Sequence, residues 1–298
     1  MRATSLIITT FGDAILPRGG RIWLGSLIQL LEPLQLNERL IRTSVFRLVK
    51  DEWLRVQSVG RRSDYLLTQS GRRRFEEASR HIYASSAPLW DRRWRVILVV
   101  GDLEPKQRDA LRRALFWQGF GALGNDCFAH PGADLTDVLD ALIADGLAPV
   151  LPKLLPLFAA DARLARSATD ADLVARAWDL SHLSAAYTEF IGVYQPMLDV
   201  MRREGLAGVS DAQAFLLRLL LIHDYRRLLL RDPELPEVLL PQRWPGQLAR
   251  LLCKEMYQRL EEASDRHLDE QVCLADGSRP EVDLSLWQRF ARTDPIKV

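Results

Sequence analysis

The side chains with the clearest chemistry are cations on one side of a helix-spaced segment, Asn37-Glu-Arg-Leu-Ile-Arg-Thr-Ser-Val-Phe-Arg-Leu-Val-Lys50. At about 100° per residue, Leu40, Ile41, Ser44, Val45, Leu48 and Val49 share one half of this helix. Arg39, Arg42, Thr43, Phe46, Arg47 and Lys50 share the other, which holds four cations and no carboxylate. Such groups neutralise phosphates, and an arginine fork can donate two hydrogen bonds to guanine O6 and N7. Asn37 is a natural cap for the first orphan N–H groups. An amphipathic surface helix would look the same in isolation, so the neighbouring elements have to decide between the two. Two more arginines, Arg61 and Arg62, sit in a turn, Gly60-Arg-Arg-Ser-Asp64. A second cationic group, Arg226, Arg227, Arg231 and Arg243, lies near the carboxy end. It fits a phosphate site, or more plainly cations favoured at a helix C-terminus.

Catalytic readings are weaker. His223 and Asp224 are neighbours on a helical stretch, so their side chains diverge by about 100° and cannot act on one atom together. No serine or cysteine stands in a nucleophile elbow to accompany them. Asp102 follows an apolar strand, with only Glu104 nearby as a second carboxylate. Cys127, Cys253 and Cys273 are odd in number and widely spaced, which gives neither a disulfide framework nor a zinc pattern. No catalytic residue and no metal site is assigned.

Elements that could position the cations come in a definite order. Residues 4–16 read as a first helix, stopped by Pro17-Arg-Gly-Gly20, and residues 22–31 as a second, ended by Pro33. The cationic helix, 38–50, is the third. Residues 54–59 alternate like a strand, 60–64 form a turn, and 65–68 return. Three helices followed by a hairpin with arginines at its tip is the order of a winged helix-turn-helix. Ser70 is expected to cap a helix from Gly71 to about Tyr83, and Ala84-Ser-Ser-Ala-Pro88 to be a linker. Strand 94–100, helix 106–118, a glycine-rich turn with strand at 119–130 and helix 135–146 read as half or more of a ferredoxin-like unit. Pro149, Pro152 and Pro156 then break the chain. One helix is expected from Thr169 or Asp170 through Trp178, His182 and Glu189. The next, 211–230, opens on a Ser210/Gln213 capping box and is apolar nearly all round. A last helix covers about 247–264.

The chain has 298 residues, 48% hydrophobic and 27% charged, enough for two or three cores, and a formal net charge of only +1. That charge is uneven. Residues 1–90 hold 14 Lys and Arg against 8 Asp and Glu, and the rest hold 26 against 31. A basic module on a mildly acidic body is implied. With no signal peptide or membrane-length apolar run, and with such sparse cysteines, a cytoplasmic protein is expected.

The strings Ile41-Arg-Thr-Ser-Val-Phe-Arg-Leu48, Gly60-Arg-Arg-Ser63, Tyr65 to Thr68 and Gly71-Arg-Arg73 resemble the amino-terminal domain of the PaaX family, repressors of bacterial phenylacetic acid degradation. Glu52 stands where that family often has glycine, before Trp53-Leu54. Residues 94–130 are similar to the Cas2 family of CRISPR-associated proteins, and Asp102 matches the aspartate that can serve there in a metal-dependent nuclease. The PaaX family carries such a middle domain. His223-Asp-Tyr-Arg-Arg227, with the Asp-Pro-x-Leu-Pro segment after it and Trp244-Pro-Gly246, closely resembles the PaaX carboxy-terminal domain, so the resemblance covers almost the whole chain.

An α+β protein is therefore expected, with a winged-helix DNA-binding domain over 1–84, a Cas2-like ferredoxin-like domain over 89–165 and a helical effector-binding or dimerising domain over 166–298. The resemblance implies a repressor of aromatic acid catabolism that binds operator DNA, and a homodimer is expected because one winged helix presents a small interface. Its implied effector is phenylacetyl-coenzyme A or a similar acyl-CoA, with no cofactor. Arg39, Arg42, Thr43, Phe46, Arg47, Lys50, Arg61 and Arg62 are the DNA-contact candidates. Arg226, Arg227, Arg231 and Arg243 are the candidates for the effector's phosphates, with Trp178, Tyr225 and Trp244 for its acyl group. The alternative is a nuclease built on Asp102; the basic module, which a bare Cas2-like nuclease does not need, favours the repressor.

Overall fold

A computed structural model of the chain describes residues 3–161, 167–282 and 289–290. Helices and antiparallel strands divide between two compact units. The first comprises Met1–Ser85, Glu189–Arg227 and Leu248–Val298; the second comprises Ser86–Thr188 and Leu228–Gln247.

In the first unit, α1 (Ala3–Thr10) continues as a π-helical turn, Phe11–Ile15, and a 3-10 turn, Leu16–Arg18. Gly19 and Gly20, at φ 77° and 72°, end it. The expected second helix starts late. Its first residues instead form β1 (Arg21–Trp23), and α2 runs over Leu24–Leu31. The partner of β1 is β3 (Arg62–Leu67), with Ile22 opposite Tyr65. Nothing local announces a strand whose partner lies some forty residues away. The cationic segment is α3 (Glu38–Lys50). β2 (Leu54–Val59) pairs with β3 in the sheet order β1-β3-β2. Since Val59 pairs with Arg62, the hairpin turn is only Gly60-Arg61, narrower than expected. Gly60 alone of the two has positive φ, 59°, the pattern of a type II′ turn.

The end of α3 explains an odd residue. Trp53 N–H donates to Leu48 O and Glu52 N–H to Val49 O, which is a Schellman closure with Glu52 at its left-handed position, φ 59°. A glycine would suit this place; glutamate bears strain there. The following helix, α4 (Gln69–Ile82), is capped by Thr68 and not by Ser70, because the Thr68 hydroxyl accepts the Gly71 N–H at 2.9 Å. A Cβ on Gly71 would fall 2.2 Å from Trp53 O, so glycine is required where α4 crosses the end of α3.

The carboxy-terminal helices of this unit are most of α8 (Ser181–Glu204), α9 (Asp211–Leu229) and α10 (Pro245–Gln271). The single helix expected from Thr169 or Asp170 through Glu189 is broken in two: α7 (Asp170–Ala177) stops at Trp178, and Asp179 accepts the Ser181 N–H at 3.1 Å to open α8. The Ser210/Gln213 capping box forms as expected. Phe215 and Leu219 of α9 and Leu268 of α10 share one core with Leu6, Ile7, Ile41 and Val45. Through this core runs a line of buried charge. Asp13, with no exposed side-chain surface, lies 3.1 Å from Arg218 and 2.9 Å from Arg289. Arg218 also reaches Asp265 at 2.9 Å, and Arg18 reaches Asp265 and Asp269. Tyr83 donates to Asp13 at 2.6 Å. Burial alone would raise the Asp13 pKa; Arg218 and Arg289 outweigh it and hold the carboxyl below its ordinary value.

The second unit holds β4 (Arg93–Val99), α5 (Pro105–Trp117), β5 (Gly121–Ala122), β6 (Cys127–His130), α6 (Leu135–Ala144) and β7 (Leu154–Ala160). Their sheet order is β5-β6-β4-β7, every pair antiparallel, which is the ferredoxin-like βαββαβ topology. The prolines after α6 do not leave a broken loop. A 3-10 segment, Ala148–Lys153, leads into β7, and Pro156 lies within that strand, at the sheet edge, where a missing N–H is tolerated.

Two stability outcomes are expected. Glu52→Gly should raise the unfolding free energy by about 1 kcal/mol by relieving the left-handed residue, read from the shift of a denaturant midpoint. Arg218→Ala should lower it by roughly 3–5 kcal/mol, because Asp13 and Asp265 lose a buried partner. A loss below about 1 kcal/mol would show that Arg289 and Arg18 carry those carboxylates alone.

Candidate nucleic-acid interface

α3 presents the cations as its spacing requires. Asn37 Oδ1 accepts the Leu40 N–H at 2.8 Å and fixes the first turn. Ile41, Ser44, Val45 and Leu48 are buried and Val49 is half-buried, whereas Leu40 is 42% exposed despite its place on the apolar half. Arg39, Arg42, Thr43, Phe46, Arg47 and Lys50 are all exposed. Phe46, 69% exposed, stands at the centre of that face, one turn from Arg42 and one from Lys50. The Thr43 hydroxyl is turned back onto Arg39 O at 2.8 Å.

The cationic face is not free of carboxylates. Glu38 holds Arg42 through two contacts, 2.7 Å from Nε and 2.6 Å from Nη2. Both side chains are more than half exposed, and such an i,i+4 pair is worth only about 0.3–0.5 kcal/mol. A charge-assisted bond to phosphate or guanine, about 1.5–3 kcal/mol, outweighs it. Arg39, Arg47, Lys50 and Arg61 make no ion pair among the described residues. Arg61 and Arg62 differ. Arg61 is exposed at the turn, but Arg62 lies 4.6 Å over the Trp23 ring and donates to Ala275 O at 3.4 Å. Arg62 therefore also fastens the hairpin to the segment after α10.

The second group of candidates falls on both units. In the first, Tyr225 is 1% exposed and packs on Phe190, Asp224 accepts the Tyr194 hydroxyl at 2.9 Å, and Arg227 is exposed, 3.9 Å from Asp224. Arg226 donates to Ser5 Oγ at 2.9 Å and Ser5 O at 3.3 Å, while its Nε is buried without a hydrogen-bond partner. In the second, Arg231 and Arg243 are exposed, and Trp244 is half-buried, edge-on to Tyr187 at 5.9 Å. Trp178 is buried, stacks on Trp94 at 6.2 Å and donates its indole N–H to Gly119 O at 3.1 Å. His223 is buried with its Nδ1 3.1 Å from Thr9 Oγ1, and burial takes its pKa down to about 4, so it is neutral near pH 7.

Asp102 is exposed beyond β4, with its carbonyl accepting from Lys153 at 2.7 Å. Among the described residues no three His, Cys, Asp or Glu gather as a metal-binding group, and no helix is long and apolar enough to cross a membrane. Sequence reasoning missed Glu38, Asp13, Arg218, Ser5 and Thr9. The available signal for two of them was a lone charge inside an apolar run: Asp13 within the first helix and Arg218 within Phe215-Leu-Leu-Arg-Leu-Leu-Leu221.

Comparison with known proteins places these features. Three family descriptions match successive segments: "PaaX-like protein" over residues 2–71, "PaaX protein central Cas2-like domain" over 87–162 and "PaaX-like protein C-terminal domain" over 178–270. The chain is 39% identical over 290 residues to the transcriptional repressor PaaX of Escherichia coli (strain K12), covering 96% of this chain and 89% of that one. A solved structure, the uncharacterized protein Rv0674 from Mycobacterium tuberculosis, shares the fold at a TM-score of 0.51 and 23% identity, over 81% of this chain and 89% of that one. On matches that run nearly end to end, the chain belongs to the PaaX family.

Proposed function

We propose that this protein is a transcriptional repressor, not an enzyme, that binds operator DNA through a winged helix and lets go on binding an aryl-acetyl-CoA thioester. The carrying observation is the face of α3: four exposed cations and a ring over a back committed to the core. The kinship with a transcriptional repressor over 96% of the chain supports it. α1, α2 and α3 supply the helices, β2 and β3 the wing with Arg61 at its tip. Arg39, Arg42, Arg47 and Lys50 reach phosphates or base edges, with Thr43 and Phe46 between them and Arg62 bracing the wing. Residues 1–84 act as the DNA-binding module, 89–165 as the Cas2-like module and 166–298 as the effector and assembly module of a cytoplasmic homodimer. Two copies are invoked because one winged helix buries little surface, and useful operator affinity usually needs two.

The effector is phenylacetyl-CoA or a close analogue. Arg231 and Arg243, both in the second unit, are exposed and suit its phosphates, and Trp244 of the same unit suits its acyl group. Arg226 and Tyr225 are already bonded or packed within the first unit, and Trp178 within the second. The kinship with a transcriptional repressor does not favour nuclease chemistry at Asp102.

Arg39→Ala with Arg47→Ala should weaken operator binding by roughly 1–3 kcal/mol per base-reading arginine, measured by titration at fixed salt; an unchanged Kd for the double variant sinks the recognition role of α3. For the switch, operator DNA and thioester must weaken each other by the same factor. Calorimetric titration of phenylacetyl-CoA with and without operator should show that factor, while free phenylacetate gives none. Arg231→Ala with Arg243→Ala should keep operator affinity and lose the response, and a normal response moves the phosphate site elsewhere.

A further inference from the structure

We infer that His223 and Arg226 are positioning residues for DNA recognition: they fasten α1, and through it hold α3 in the register that presents its cationic face. This rests on the reading of α3 as the recognition helix. His223 and Arg226 are three apart on α9 and so share a face, as do Ser5 and Thr9, four apart on α1. The two faces are bonded at both positions. The Thr9 hydroxyl has one proton and places it on Ser5 O at 3.1 Å. With that proton on Ser5 O, the Nδ1–H tautomer of His223 donates to Thr9 Oγ1 across 3.1 Å. Arg226 adds bonds from Nη2 to Ser5 Oγ and Ser5 O, so Ser5 O receives both Thr9 and Arg226.

α1 in turn packs on α3, with Leu6 and Ile7 in one core with Ile41 and Val45. A shift of α1 along α9 would therefore move the back of α3. The guanidinium of Arg226 is committed to this junction even though its Nε finds no partner there. The string His223-Asp-Tyr-Arg226, which invites a catalytic or ligand reading in the sequence, is in place a fastening between the carboxy-terminal helices and the first helix of the chain.

The test uses full-length protein with Arg226→Met, Ser5→Ala, Thr9→Val and the conservative Thr9→Ser. Each is assayed well below its Tm for binding to operator and to a random duplex, with the active fraction determined by stoichiometric titration. Arg226→Met, Ser5→Ala and Thr9→Val are each expected to weaken operator binding, Arg226→Met by about tenfold, with random-duplex binding changed less than about twofold. Thr9→Ser should retain operator affinity. Ser5→Ala combined with Arg226→Met should be no worse than Arg226→Met alone, because contacting residues are not additive. Equal losses on both duplexes, additive losses, or a lowered Tm with unchanged operator Kd each overturn the inference and leave the contacts purely structural. Failure of the recognition reading itself is seen separately, as operator binding indifferent to Arg39→Ala and Arg47→Ala.

Discussion

The first unit depends on a carboxylate with nowhere else to go. Asp13 sits on a π-helical turn with no exposed surface, and an unpaired buried carboxylate would cost several kcal/mol. Its partners come from far along the chain: Arg218 on α9, Arg289 near the carboxy end, and the hydroxyl of Tyr83 just past α4. Arg218 is shared with Asp265 on α10, which is shared with Arg18 beside the π turn. Each charge is satisfied only when all these elements are together. A buried ionic lattice is weak evidence of net stability, since an apolar replacement of equal shape can serve as well. What it supplies here is one permitted arrangement of the first helix against α9 and α10.

That arrangement links distant segments to the helix that carries the cations. The back of α3 packs on α1, and α1 is held from behind by α9. Asp64 adds a second tie, since it pairs with Arg21 and accepts the Ala275 N–H at 2.7 Å, binding β3 to the stretch after α10. Cys273 O accepts the Trp23 N–H at 3.1 Å, so β1 is tied to the same stretch. The hairpin is thus anchored to residues more than 200 positions away, and so, through α1, is the cationic helix.

Division by sequence and division by packing give different accounts of this chain. The family descriptions fall on three successive segments, while the contacts gather into two units, with α8, α9 and α10 each contributing to both. A segment is recognised by its local pattern, a unit by where its apolar faces are buried. α9 reads as the centre of a carboxy-terminal body, and it is buried as expected, but Phe215 and Leu219 go into the core formed by the first helix of the chain.

Local chemistry was legible in the sequence because its causes are local. The Asn37 cap, the Ser210/Gln213 box and the two faces of α3 follow from residue type and spacing, and each is present; β2 forms as a strand, but its apolar residues do not share a buried face, since Val56 is 45% exposed. The exposed set of α3 could be read from a 3.6-residue period alone, with Leu40 the exception. Where the cause lies elsewhere in the chain, the sequence was silent or misleading. Ile22 looks like the start of a helix and becomes a strand because β3 offers it a ladder. Pro156 looks like a breaker and lies in an edge strand. Arg226, a candidate for phosphate, is also bonded to Ser5, 221 positions away. The type of each side chain set what it could do, and the packing decided which of those bonds was already made.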